Sequence, residues 1–101
     1  MKIQYRDKTL ALSDISELNA SNSGAMRDDA RAALRTEITT IDVDLSQTRL
    51  VDSSGLGALI ARNKTMSTRG GGVRIINPTP SVQQILELTR LHRVFEIVKT
   101  S

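Results

Sequence analysis

The residues of this chain that could do chemistry are few, and they are concentrated in one stretch. That stretch is Leu50-Val51-Asp52-Ser53-Ser54-Gly55-Leu56-Gly57-Ala58-Leu59-Ile60, where an acid stands beside two hydroxyls. A serine hydrolase presents its nucleophile as Gly-x-Ser-x-Gly. Val51 stands two residues before Ser53 and Asp52 two before Ser54, so neither hydroxyl fits. A triad also needs a base. His92 is the one histidine, nothing local links it to either serine, and it reads as a turn residue after the last helix. Gly55-Leu56-Gly57 does not extend to Gly-x-Gly-x-x-Gly because position 60 is Ile, and no Gly-Lys-Ser/Thr occurs. With one His, no Cys and no clustered carboxylates, a metal site is not expected. The reading is therefore of a protein with no catalytic residues, no cofactor and no metal, which is not an enzyme.

The same stretch makes sense as a presented surface. Leu50-Val51 reads as the end of a buried strand, followed by a tight turn and the start of a helix. Asp and Ser oxygens accept hydrogen bonds from the free N–H groups of a first helical turn, and Ser54 is the expected cap. A cap needs one oxygen, and this stretch offers an acid and two hydroxyls. Gly55 and Gly57 each weaken a helix interior by about 1 kcal/mol relative to Ala. Their lack of a Cβ is read as keeping the surface thin where something approaches. Asp52, Ser53, Ser54, Gly55, Leu56 and Gly57 thus form a candidate switch surface, with Arg62 and Lys64 as rim residues or simply a solvated helix face.

Composition limits the partners. The 101 residues carry a net charge of +3 from 14 basic and 11 acidic side chains. No dense basic run occurs, and one Phe and one Tyr make no stacking platform, so nucleic acid is not the expected partner. A mildly basic face for an acidic protein partner fits better. No apolar run of about 18 residues is present, so no membrane span is expected. The start, Met1-Lys2-Ile3-Gln4-Tyr5-Arg6-Asp7, alternates and lacks the apolar core of a signal peptide. The absence of Cys fits a reducing compartment, and a cytoplasmic location follows as the expectation.

The elements that must position the switch follow from periodicity. Lys2 to Arg6 and Thr9 to Leu12 read as a hairpin around Asp7-Lys8, with Ile3 and Tyr5 on one face. Ser13 to Ser23 reads as a loop. Gly24 to Thr36 is an amphipathic helix with Met26, Ala30, Ala33 and Leu34 on one face, and Arg27, Arg31 and Arg35 on another row. Thr39 to Leu45 alternates as a strand with Ile41, Val43 and Leu45 inward. The second helix runs from about Ser54 to Thr68, stopped by Arg69-Gly70-Gly71-Gly72. Val73 to Ile76 is a strand. Pro80 opens a third helix that reaches about Thr89, and Val94 to Val98 is the last strand. The order β-β-α-β-β-α-β-α-β predicts an α/β fold: a small mixed sheet with helices mainly on one side.

A resemblance rests on Asp44-Leu45, Leu50 to Leu59, Gly71-Gly72-Val73-Arg74-Ile75-Ile76-Asn77, Val82 to Leu91 and Val94-Phe95-Glu96-Ile97. Together these look like a STAS domain of the bacterial anti-sigma factor antagonist (anti-anti-sigma factor) family, and residues 1–101 are read as a single domain of that kind. The N-terminal part departs from it: where such proteins often carry a Gly-Glu-Leu-Asp-like turn, this chain has Ser13-Asp14-Ile15-Ser16-Glu17-Leu18. The resemblance implies a partner switch in signal transduction and transcription regulation. The unphosphorylated form binds a GHKL-type serine kinase that is often itself an anti-sigma factor. Phosphorylation at Ser53, with Ser54 as runner-up acceptor, releases it, and a PPM-type serine phosphatase restores it. In that scheme Asp52 positions the hydroxyl. The alternative is a STAS-like domain that binds a small ligand or nucleotide with no kinase switch.

Overall fold

The structure, a computed structural model, describes residues 1–100. It opens with an antiparallel hairpin of β1 (Lys2–Arg6) and β2 (Thr9–Ser13), with Tyr5 opposite Leu10 and Ile3 opposite Leu12. Then come β3 (Glu17–Leu18), α1 (Ser23–Ala33), β4 (Thr40–Asp44), β5 (Leu50–Val51) and α2 (Ser53–Ser67). β6 (Gly72–Ile76), α3 (Pro80–Leu88), a single 3₁₀ turn (Leu91–Arg93) and β7 (Glu96–Val98) complete the described chain. The main sheet has the order β1-β2-β4-β6-β7, and every pair after the hairpin is parallel.

Side chains alternate across a strand, so one face of this sheet can be read from register. Leu10 and Leu12 lie beside Ile41 and Val43, which lie beside Val73 and Ile75. All six are buried, and they join one core cluster with Met26 and Ala30 of α1, Ala58, Leu59 and Met66 of α2, and Val82 and Leu86 of α3. Full burial of each large aliphatic residue is worth about 1.5–3 kcal/mol. The helices therefore cover one face, as the pattern predicts. At the edge of that face Tyr5 is exposed, yet its hydroxyl donates to Ala33 O (2.6 Å) and Arg35 lies 3.7 Å over its ring. These contacts tie the end of α1 to β1.

The other face of the sheet carries a charged ladder. Arg74 donates through Nε and Nη2 to the two oxygens of Asp42 (2.7 and 2.8 Å), Arg6 approaches the same carboxylate at 3.5 Å, and Glu96 lies 4.0 Å from Arg74 Nη1. These hydrogen bonds raise the Arg74 guanidinium above its ordinary value. The Asp42 side chain is 5% exposed, whereas Arg6 and Arg74 reach water. The two ends of the pair should therefore respond unequally. Arg74→Ala leaves a buried carboxylate with the 3.5 Å approach of Arg6 in place of its two short bonds and is expected to cost about 1–3 kcal/mol. Asp42→Ala leaves arginines that water can solvate, and is expected to cost about 1 kcal/mol or less. Urea unfolding of the two variants checks the order; equal losses would mean that Asp42 is hydrated in the Arg74 variant.

Two local expectations need correction. The segment expected to be loop, Ser13 to Ser23, contains β3, which pairs in parallel with β5 as a separate two-stranded sheet. Two residues are too few to show a period, and the pairing arises only with a partner far along the chain. The last strand is also shorter than Val94 to Val98. The 3₁₀ turn precedes it, Val94 and Phe95 lie outside it, and Phe95 fills the core at 3% exposed. The first helix stops at Ala33, with Leu34 already extended, short of the expected Thr36, whereas the stop of α2 and the start of α3 agree with the expected signals. Gly70 has φ +81° beyond α2, and Gly71 N donates to Met66 O (3.0 Å). Thr79 caps α3, with Pro80 in its first turn.

Candidate functional site

The small β3–β5 sheet delivers the chain to the switch. Leu18 lies opposite Val51, and both are buried. Arg49 N donates to Ser16 O (2.9 Å) and Asp52 N to Leu18 O (3.0 Å). The backbone therefore reaches Asp52 already held. Asp52 is extended, at φ −98° and ψ −175°, and the helix begins at the next residue.

Asp52, not Ser54, caps α2. Its Oδ1 accepts from Gly55 N (3.0 Å), and its Oδ2 accepts from Ala20 N (3.1 Å). One carboxylate thus joins the first turn of α2 to the loop between β3 and α1. That loop is set by its own amides: Asn22 Oδ1 accepts from Asn19 N (2.8 Å), Asn22 Nδ2 donates to Glu17 O (2.7 Å), and Asn19 Oδ1 accepts from Ser21 N (3.0 Å). Asn19, Ala20 and Asn22 are site residues that sequence reasoning left inside a plain loop. The cluster of Asn and Ser there is the signal that they hold a side-chain-to-backbone turn.

Ser53 and Ser54 are both exposed, in the first turn of α2, and neither hydroxyl is hydrogen-bonded among the described residues. Leu56 is half-buried, while Gly57 is exposed with open space where a Cβ would stand. Ser53, Gly57, Ile60 and Lys64 follow one another at helical spacing along the exposed side, with Ile60 41% exposed. Gly55 departs from its expected role: it is buried, and a Cβ there would stand 2.5 Å from Leu18 O. Its missing side chain serves packing against β3, not access from outside. Arg62 is neither rim nor solvated surface, being 7% exposed.

The arrangement offers two alcohols at the positive end of a helix, where backbone N–H groups and the dipole favour an anion. Among the described residues neither hydroxyl is hydrogen-bonded to a base. Both Asp52 oxygens already accept backbone hydrogen bonds, and His92 stands in the 3₁₀ turn with Nδ1 3.3 Å from Leu86 O. Beside the loop, between β3 and α1, lies a cleft of about 260 Å³ lined by Asp14, Ile15, Glu17, Asn22, Met26 and Asp29 among others. Among the described residues no group of three or more His, Cys, Asp or Glu is placed to hold a metal, and no helix is long and apolar enough to cross a membrane.

The sequence profile of the STAS domain matches residues 1–101. This chain belongs to the STAS domain family. Among its relatives, the anti-sigma F factor antagonist of Paenibacillus polymyxa is 29% identical over 66 residues, which is 65% of this chain and 56% of that protein. The aligned part spans about half the length of the curated relatives that it matches. The crystal structure of a candidate anti-sigma factor antagonist from Thermotoga maritima superposes with a TM-score of 0.90 at 26% identity, covering 98% of this chain and 86% of the other. The anti-sigma factor antagonist SpoIIAA of Bacillus shares the fold. Its unphosphorylated form gives a TM-score of 0.85 at 20% identity over 99% of this STAS chain and 87% of its own. Its phosphorylated form gives 0.75 at 19% identity over 99% and 90%.

Proposed function

We propose that this STAS protein is an anti-sigma factor antagonist whose binding is switched by phosphorylation of Ser53. The observation that carries the reading is the free, exposed Ser53 hydroxyl in the first turn of α2, beside a carboxylate that is committed to capping. The names of its relatives point the same way, and SpoIIAA has been solved with and without its phosphate. In the unphosphorylated state the exposed side of α2, with Leu56, Gly57 and Ile60, docks on a GHKL-type serine kinase that is itself the anti-sigma factor. The kinase moves the γ-phosphoryl group of ATP to Ser53 Oγ, with loss of the hydroxyl proton and release of ADP. A PPM-type serine phosphatase hydrolyses the ester and restores the binding form. Ser54 is the runner-up acceptor.

The phosphate acts through charge and bulk at the interface. It adds about −1.5 to −2 charges at pH 7. The helix end tolerates that charge, so the fold persists while a docked acidic or apolar partner surface is repelled. The test is phosphorylation with ATP and the GHKL-type kinase from the same genome, read by intact mass and peptide mapping. One phosphoryl group on Ser53 is expected, abolished by Ser53→Ala and retained in Ser54→Ala. Mapping to Ser54 alone would transfer the role to that residue. No modification of either residue would remove the switch, and a nucleotide-dependent rise in melting temperature without kinase would then support the small-ligand reading.

A further inference from the structure

β1 is an outer strand of the main sheet, and its free edge can be read group by group. A trans peptide sends the C=O of one residue and the N–H of the next to opposite sides. Lys8 O accepts from Thr39 N (2.9 Å), at the entry to β4, so Thr9 N faces β1. Thr9, Ala11 and Ser13 therefore bond to the residues opposite them, which are Arg6, Gln4 and Lys2. The remaining residues of β1, Ile3 and Tyr5, send their N–H and C=O groups outward, away from β2. Among the described residues no turn, loop or side chain bonds to those outward groups.

The side chains along this edge are of two kinds. Ile3 and Tyr5 lie on the helix-covered face, opposite Leu12 and Leu10, yet they are 37% and 38% exposed. The contacts of Tyr5 with Ala33 and Arg35 hold its ring in place, so a partner meets a side chain that is already ordered. Lys2 and Arg6 lie on the open face. Lys2 is exposed, and the Arg6 side chain is 65% exposed even with its approach to Asp42. Arg35 adds a third cation beside Tyr5 and makes no salt bridge among the described residues.

We propose that the β1 edge docks an extended, acidic segment of a protein partner as an added strand of the main sheet. The outward groups of Ile3 and Tyr5 supply the main-chain bonds that strand addition requires. Charge selects the occupant. Two copies of the edge, paired antiparallel about Gln4, would set Lys2 of one copy against Arg6 of the other, and like charges directly opposite are destabilising. Lysine on an edge is one way in which natural sheets avoid pairing with themselves. A strand with carboxylates four residues apart meets Lys2 and Arg6 on the open face. Apolar residues one place inside each carboxylate then fall beside Ile3 and Tyr5. This surface belongs to the main sheet and not to the first turn of α2, so the proposal stands whether or not either serine is modified.

The test uses the whole chain and the end-blocked peptide Ser-Glu-Val-Thr-Val-Glu-Ser, whose side-chain order suits either strand polarity. The control peptide carries Lys in place of both Glu. The amide resonances of Ile3 and Tyr5 are expected to shift saturably with the glutamate peptide and to exchange more slowly with water, while Gln4, already bonded to β2, changes least. That alternation marks an added strand, and attraction by charge alone does not produce it. The lysine peptide should leave these amides unmoved. Ile3→Pro removes an outward N–H that no ladder bond uses, so it should fold and bind the glutamate peptide about tenfold more weakly. Lys2→Ala/Arg6→Ala should keep the β1–β2 register and also bind about tenfold more weakly. No shift at millimolar peptide, shifts without the alternation, equal shifts with the lysine peptide, or unchanged binding by Lys2→Ala/Arg6→Ala would overturn the proposal. So would a concentration-dependent dimer in sedimentation with the Ile3 and Tyr5 amides protected, which would assign the edge to a second copy.

Discussion

An alanine at Gly55 is expected to destabilise the protein by about 1–3 kcal/mol, whereas an alanine at Gly57 is expected to stabilise it by about 0.5–1 kcal/mol. Both glycines stand in α2, so the intrinsic helix preference for alanine favours both changes equally. Surroundings decide the sign. A Cβ at Gly55 would lie 2.5 Å from Leu18 O and 2.8 Å from Leu18 Cγ, and the carbonyl belongs to the backbone of β3, which cannot rotate aside. A Cβ at Gly57 meets nothing within 4 Å. Gly71→Ala is expected to be at least as damaging as Gly55→Ala, since its Cβ would stand 1.7 Å from Thr39 O. Urea midpoints for the three variants give the ranking. The Gly55 variant should also speed amide exchange at Ala20, because pushing β3 away from α2 strains the bond between Ala20 N and Asp52. A Gly55→Ala protein as stable as the parent would refute this packing role.

The second large effect falls on binding. Ser53→Asp is expected to weaken docking on the kinase by roughly 150-fold, equivalent to about 3 kcal/mol of lost contacts and charge repulsion. Ser53→Ala is expected to bind and to resist release by ATP. The contrast between binding and stability is what makes the test sharp. A carboxylate in the first turn of α2 faces the positive helix end and should leave stability unchanged or raise it by about 0.3–1 kcal/mol. Asp52 continues to supply the cap through Gly55 N. Loss of binding with an unchanged urea midpoint therefore locates the effect at the interface. Equal binding by the two variants would sink the switch, and a lower midpoint for Ser53→Asp would show that the charge acts through the fold instead.

Particular residues show how far the chain can be read before its fold is known. The inward alternation of Ile41, Val43 and Leu45, the Pro80 helix start and the glycine stop after α2 all reappear in the structure. Each depends on neighbours a few residues away, through strand period, a capped first turn or a left-handed φ. The stretch from Asp52 to Gly57 is legible for the same reason, as a strand end, a cap and a helix start.

Tertiary structure decided the rest, because the partners lie far apart in the chain. Asp52 and Ala20 are 32 residues apart, and only their meeting makes Asp52 the cap that also anchors the β3–α1 loop, leaving both hydroxyls free. Gly55 looks like an open surface until β3 is laid across it, and β3 itself is two residues that acquire a strand geometry by pairing with β5. Arg62 has the composition of a solvated helix position and the burial of a core one. Local sequence determined the elements other than β3, and the presented hydroxyls, through short-range sterics and hydrogen bonding. Packing determined which glycine is internal, which oxygen caps the helix and which arginine is buried, since each depends on surfaces that only folding brings together.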